Sequence, residues 1–176
     1  MKKDLLFYSV LTLIVGLIFT SCSKDDDYWV NSSIDMPFLL QTEKDGYFEP
    51  SAMYEFKLSD LTNIKHSRED IREIRLTDTW IEIRGNFVAG DVIEGLEIYI
   101  EGIGTHKVPK IRIANNGTSF TIDNTDSPGL FAFMADAMDK LDYTGKVHVT
   151  CSGFYNVARA NIDIIIKNDL RVLVSD

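Results

Sequence analysis

The chain is poor in the residues that cross-link, ligate and react. Its 176 residues include two cysteines, Cys22 and Cys151, three histidines and four prolines. Two thiols allow at most one bridge, so stability must come from a buried core rather than from disulfides. His66, His106 and His148 lie on separate segments, and neither H-x-x-x-H nor C-x-x-C occurs. A zinc or catalytic iron site needs several such ligands converging, so no metal and no other cofactor is expected. No G-x-S-x-G elbow is present, and Gly102-Ile103-Gly104 lacks the Gly-Lys-Ser/Thr continuation of a phosphate loop. Asp123-Asn124-Thr125-Asp126-Ser127 is rich in oxygen, but Pro128 and Gly129 fall where a calcium loop would alternate further ligands, and no suitably spaced Glu follows. A turn leading into Ser127 explains these residues. Catalysis has no positive support, and the chain is expected not to be an enzyme. Basic residues are also outnumbered, 18 against 27 acidic, which disfavours nucleic acid as a partner.

Long apolar runs are scarce too, and the one that exists stands first. Met1-Lys2-Lys3-Asp4 is followed by the almost wholly apolar Leu5 to Phe19, then by the small residues Thr20 and Ser21 and by Cys22. The apolar run is shorter than the roughly 20 residues that span a bilayer. A basic start, a short apolar core and a small-residue junction describe a secretory signal peptide over residues 1–21. Phe19-Thr20-Ser21-Cys22 resembles the lipobox of bacterial lipoproteins, with Phe19 where Leu is usual. Ser23-Lys24-Asp25-Asp26-Asp27 is similar to the acidic export signal of surface-exposed lipoproteins in the Bacteroidetes. The resemblance covers residues 1–27 alone. It implies a cysteine that is acylated, with palmitate among its chains, and becomes the new N-terminus. It further implies an outer-membrane location facing the cell exterior, with the membrane as a partner through Cys22. Asp25 to Asp27 would repel anionic head groups and keep the segment after the anchor off the membrane.

Removing residues 1–21 leaves 155 residues with 16 basic and 26 acidic side chains, a net charge of −10. That is the size of one ordinary domain. Cys151 is then the remaining thiol. In phase with Val147 and Val149, it reads as a small core residue rather than a nucleophile. Residues 22–35 read as the lipidated cysteine and a flexible acidic tether, and residues 36–176 as a single domain.

Within that domain, short β-branched and aromatic runs alternate with Gly, Asn, Asp and Pro, the pattern of strands and turns. Strands are expected near Ala52 to Leu58, Ile71 to Arg84, Val92 to Glu101, Lys146 to Cys151 and Val157 to Val174. The apolar phase changes between Leu76 and Ile81, which requires a bulge, or a turn at Thr77-Asp78-Thr79. Trp80, at that change, reads as core. Gly85-Asn86 and Ala89-Gly90-Asp91 are turn signals. Val108 to Ala114 and Ser119 to Ile122, joined by Asn115-Asn116-Gly117, form the best candidate hairpin. One amphipathic helix is expected near 128–141, capped by Ser127, with Leu130, Met134, Ala137, Met138 and Leu141 as its apolar stripe. These elements predict a mainly β fold, a two-sheet antiparallel β-sandwich of roughly eight or nine strands with one helix. A closed barrel with a helical lid is the alternative.

Candidate binding residues are aromatics beside turns. Tyr47-Phe48 and Phe154-Tyr155 can each supply a ring to a sugar or a protein partner, or close one end of the core. The function these features suggest is a non-enzymatic binding or scaffolding module of the bacterial envelope, with a protein or glycan partner. The alternative is a carrier of a small apolar ligand in a cavity covered by the helix, through Phe131, Phe133, Met134 and Met138.

Overall fold

The computed structural model describes residues 27–50 and 53–175. Ten strands and one α-helix lie among them. In chain order these are β1 (Tyr28–Gln41), β2 (Tyr47–Phe48), β3 (Tyr54–Lys57), β4 (Ile71–Phe87), β5 (Val92–Ile100), β6 (Gly104–Lys107), β7 (Ile111–Arg112), β8 (Gly117–Ile122), α1 (Leu130–Thr144), β9 (Lys146–Tyr155) and β10 (Asn161–Val174). The first sheet runs β1-β10-β4-β8, and the second centres on β9 and β5. β2 and β3 both pair with β9, β6 and β7 both pair with β5, and every pairing is antiparallel. The two sheets share no strand, so this is an open sandwich rather than a closed barrel.

Period-two alternation builds the core. Ile34, Met36, Phe38 and Leu40 of β1 and the even residues Ile162 to Val174 of β10 turn inward. Ile93, Leu96, Ile98 and Ile100 of β5 face them with Val147, Val149 and Cys151 of β9. Helix α1 packs on β4 of one sheet and β9 of the other. Its stripe of Leu130, Met134, Ala137, Met138 and Leu141 is fully buried, and each of the large side chains contributes about 1.5–3 kcal/mol.

The phase change in the fourth strand is a bulge. Asp78 pairs with Asp169 and Leu76 with Leu170, leaving Thr77 unpaired and moving the inward set from Ile74 to Thr79, Ile81 and Ile83. Trp80 is therefore not core. It lies half-buried on the outer face opposite Lys167. β10 is continuous through Asn168 and Asp169.

Other local expectations are corrected. Residues 28–35 are not tether: they form the first half of β1. The N–H of Ser33 bonds to Thr62 Oγ1, and its C=O accepts from the Thr62 N–H, outside the sheet. Two residues per repeat put the nitrogen of Pro37 on that same outer side, where β1 is an edge and no ladder donor is required. Gly85-Asn86 is not a turn but part of β4, at a register shift against β8. The hairpin across Asn115-Asn116-Gly117 does not form: β7 pairs with β5 and β8 with β4, so this segment crosses between sheets. Ile113 exchanges backbone bonds with Gly90 and Asp91, and Asn116 Oδ1 accepts from the Ala89 N–H at 2.8 Å. Those bonds fasten residues 113–116 to the 88–91 turn instead of to the following strand. Finally, α1 begins two residues later than expected, and Ser127 does not cap it. Asn124 Oδ1 accepts the Phe131 N–H at 3.1 Å, while Ser127 Oγ bonds His106 Nε2 at 2.8 Å.

Candidate ligand cleft

Strand alternation sorts each aromatic pair into one inward and one outward ring. Phe48 and Tyr155 are buried, whereas Tyr47 is 61% exposed and Phe154 half-buried. The register of β2 on β9 sets Tyr47 directly opposite Phe154, and their rings meet edge to face at 5.3 Å. On the other side of β9, Phe154 pairs with Glu94 of β5. One extra residue at Gly95 then separates Glu94 from Glu97, which pairs with Ser152. The outer face of the second sheet thus carries a row of Tyr47, Phe154 and Glu94.

Two glycines permit this close packing. A Cβ on Gly153 would lie 2.8 Å from the Phe48 ring, and one on Gly46, at φ +90°, would lie 2.4 Å from the Tyr155 carbonyl. Around the row opens a cleft of about 750 Å³ lined also by Gln41, Glu43, Glu49 and Ser152. Its volume falls within the range of small-ligand sites. The lining combines ring faces with hydrogen-bond acceptors and contains no Lys or Arg; Lys110 reaches Glu94 at 2.5 Å. Such a wall suits a neutral hydroxylated or donor-rich ligand and opposes an anionic one. Beneath it, the Tyr155 hydroxyl donates to Asp91 Oδ2 at 2.6 Å. Burial and that carboxylate hold the phenol well above its ordinary pKa, so Tyr155 is a supporting residue and not a base.

A second arrangement was not foreseen. His148 lies between two carboxylates, Nδ1 at 2.7 Å from Glu101 Oε2 and Nε2 at 2.9 Å from Glu55 Oε2. Lys57 and Lys146 also reach Glu55, at 2.8 and 2.9 Å. Donation of its ring N–H groups, to Glu101 first and then to Glu55, raises the His148 pKa, and both carboxyls are held below their usual range. With a carboxylate on each ring nitrogen the imidazolium is the fitting form, and no ring nitrogen is left to act as a base. This is an ion-pair cluster joining β3, β9 and the end of β5.

The remaining candidates are structural. Cys151 is fully buried, and burial pushes its thiol far above the ordinary range. His106 is buried against Phe133, and burial lowers its pKa. Asp123 Oδ1 accepts the N–H groups of Thr125 and Asp126, so the acidic segment is a side-chain-closed turn. Among the described residues, no three His, Cys, Asp or Glu side chains converge as metal ligands, and no helix is long and apolar enough to cross a membrane. Among the described residues, the helix expected to cover an apolar cavity lines neither the cleft above nor smaller ones of about 310, 230 and 410 Å³. Cys22, Ser23, Lys24, Asp25 and Asp26 lie outside the described residues; Asp27 is exposed immediately before β1.

No known family's model matches the chain, and no curated protein matches it. Among solved structures it is similar to one titled as the crystal structure of a decameric BFDV capsid protein. The identity is 11% and the TM-score 0.41, covering 85% of this chain and 99% of that one.

Proposed function

We propose that this protein is a surface-exposed lipoprotein, anchored to the outer membrane at Cys22, whose sandwich is a non-enzymatic binding or scaffolding module of the envelope. The observation that carries the reading is where the cleft lies along β1. The proposed anchor precedes Tyr28, the first residue of that strand, while Gln41, its last residue, lines the cleft. Fourteen extended residues span roughly 40 Å. An anchor before Tyr28 would thus hold the domain by the end of β1 opposite the cleft, with Tyr47 and Phe154 at the far end of that strand. The acceptor-rich, aromatic lining supports a glycan or a protein segment as partner. The test is cross-linking pull-down from intact cells with anchored protein, wild type against a Tyr47→Ala/Phe154→Ala variant of equal abundance. A species recovered with wild type and depleted about tenfold or more in the variant, the loss expected for a central aromatic contact, supports the reading. Identical recoveries refute it.

A further inference from the structure

At the opposite end of β1, the outer face of the first sheet carries a costly arrangement. Arg171 of β10 and Arg75 of β4 pair directly across the strands, like charge against like, an arrangement that destabilises a sheet unless something compensates. Glu73 serves only one of them: it holds Arg75 in a two-point bond at 2.5 and 3.1 Å. Arg171 is exposed and makes no ion pair with any described carboxylate. Both guanidinium groups instead lie over the half-buried indole of Trp29, 4.8 and 5.0 Å from the ring centre. Asp169 and Asp78, one row further along, face each other across the bulge and pair with neither arginine.

From these contacts we infer that Trp29, Arg171 and Arg75 form a seat for phosphate-bearing membrane lipids, which rests the tether end of the domain on the bilayer. The inference uses the anchoring at Cys22 proposed above. An exposed guanidinium matches a phosphate in a two-point geometry, and an indole with an apolar body and a polar edge suits the membrane–water boundary. The tether decides whether so small a patch can act. Seven residue steps separate Cys22 from Trp29, so the Cα atoms of the two residues lie within about 25 Å of each other whatever path the chain takes. At that reach the effective lipid concentration is in the millimolar range or above. A weak contact is thus populated against the repulsion expected from Asp25 to Asp27 and from the acidic charge of the domain, and the stand-off expected from those aspartates is partial.

The test uses the full lipidated chain carrying Trp80→Phe, which leaves Trp29 as the single tryptophan. The protein is reconstituted into vesicles of brominated phosphatidylcholine, with or without phosphatidylglycerol, and indole quenching is read. The expected result is quenching that rises with phosphatidylglycerol. Arg171→Gln should weaken the contact about fivefold, the effect of one basic residue near an anionic surface. Quenching that is equal in both vesicles, or indifferent to Arg171→Gln, overturns the seat. So does an equal emission change on adding inorganic phosphate to phosphatidylcholine vesicles, since that would mark a free-anion site. Mass spectrometry of Cys22 reads the anchor separately. If Cys22 is unacylated, the same vesicles at high concentration still test the seat: phosphatidylglycerol-dependent quenching sustains it, and its absence overturns it.

Discussion

Thr79 donates its hydroxyl to the side-chain carbonyl of Asn168 across β4 and β10, at 2.9 Å, with both residues buried. The Asn168 amide in turn donates to the Ile34 carbonyl of β1 at 3.2 Å. One side chain therefore ties three strands together beside the bulge at Thr77. A buried polar group left without its partner loses its hydration with nothing in return. Asn168→Ala is expected to cost about 2–3 kcal/mol, read as a lower urea midpoint at unchanged slope. Thr79→Val should cost less, and the double variant should cost less than the two added, because each single change strands the other's group. Strict additivity would show that the two side chains do not act together.

The His148 cluster makes stability depend on pH in a defined direction. The His148 pKa is raised in the fold, so its contribution is complete below the ordinary histidine value of about 6.5 and is lost as pH climbs through the raised value. The pKa values of Glu55 and Glu101 are lowered, so their contributions are complete above about 4.5 and are lost on acidification. Lys57, Lys146, Lys140 and Asp60 are the other charges acting on these carboxylates or on their cationic partners. The cluster is thus most stabilising between roughly pH 5 and 6.5. Wild type should lose more thermal stability than His148→Gln when the pH is raised from 6 to 9. Equal losses would mean that His148 is not held by the two carboxylates.

The legible parts of the sequence were those fixed by local pattern. The α1 stripe, the change of phase between Leu76 and Ile81 and the burial of Cys151 all follow from the spacing of side chains along one segment. The alternation of Ile34, Met36, Phe38 and Leu40 was equally plain, but Pro37 and the polar Asn31 to Ser33 masked it. A proline is harmless there only because β1 is an edge, and its neighbours in the sheet come from the other end of the chain. The Asn-Gly turn misled for the same reason: its bonding partners, residues 88–91, lie outside the segment. At the cleft, three of the four aromatics noted beside turns, Tyr47, Phe48 and Phe154, line the wall, and Tyr155 turns inward. Which ring of each faces out depends on the register of β2 on β9. Glu43, Glu49 and Glu94 join them only through the fold. His148 meets partners 47 and 93 residues away, and no local signal could have announced that.

The proposed address separates into two steps that can be broken independently. A buried acyl chain contributes about 0.8 kcal/mol per CH₂, so a multiply acylated cysteine holds a domain of this size durably and an unacylated one does not. Cys22→Ala should therefore move the protein from the membrane fraction to the soluble fraction. Continued tight association would mean that residues 5–19 remain as an uncleaved anchor. Asp25, Asp26 and Asp27 replaced by Ala should leave membrane attachment intact, because none of them carries lipid. What should change is the side on which the domain lies: protease added to intact cells should digest wild type and spare the variant. The variant also removes three negative charges from the segment that precedes Trp29 in the sequence. It should therefore sit more closely on anionic vesicles in the quenching assay even while it fails to reach the cell surface. Equal digestion of both proteins would remove the export role of the acidic run. It would leave the anchor, the cleft and the lipid seat to be judged on their own measurements.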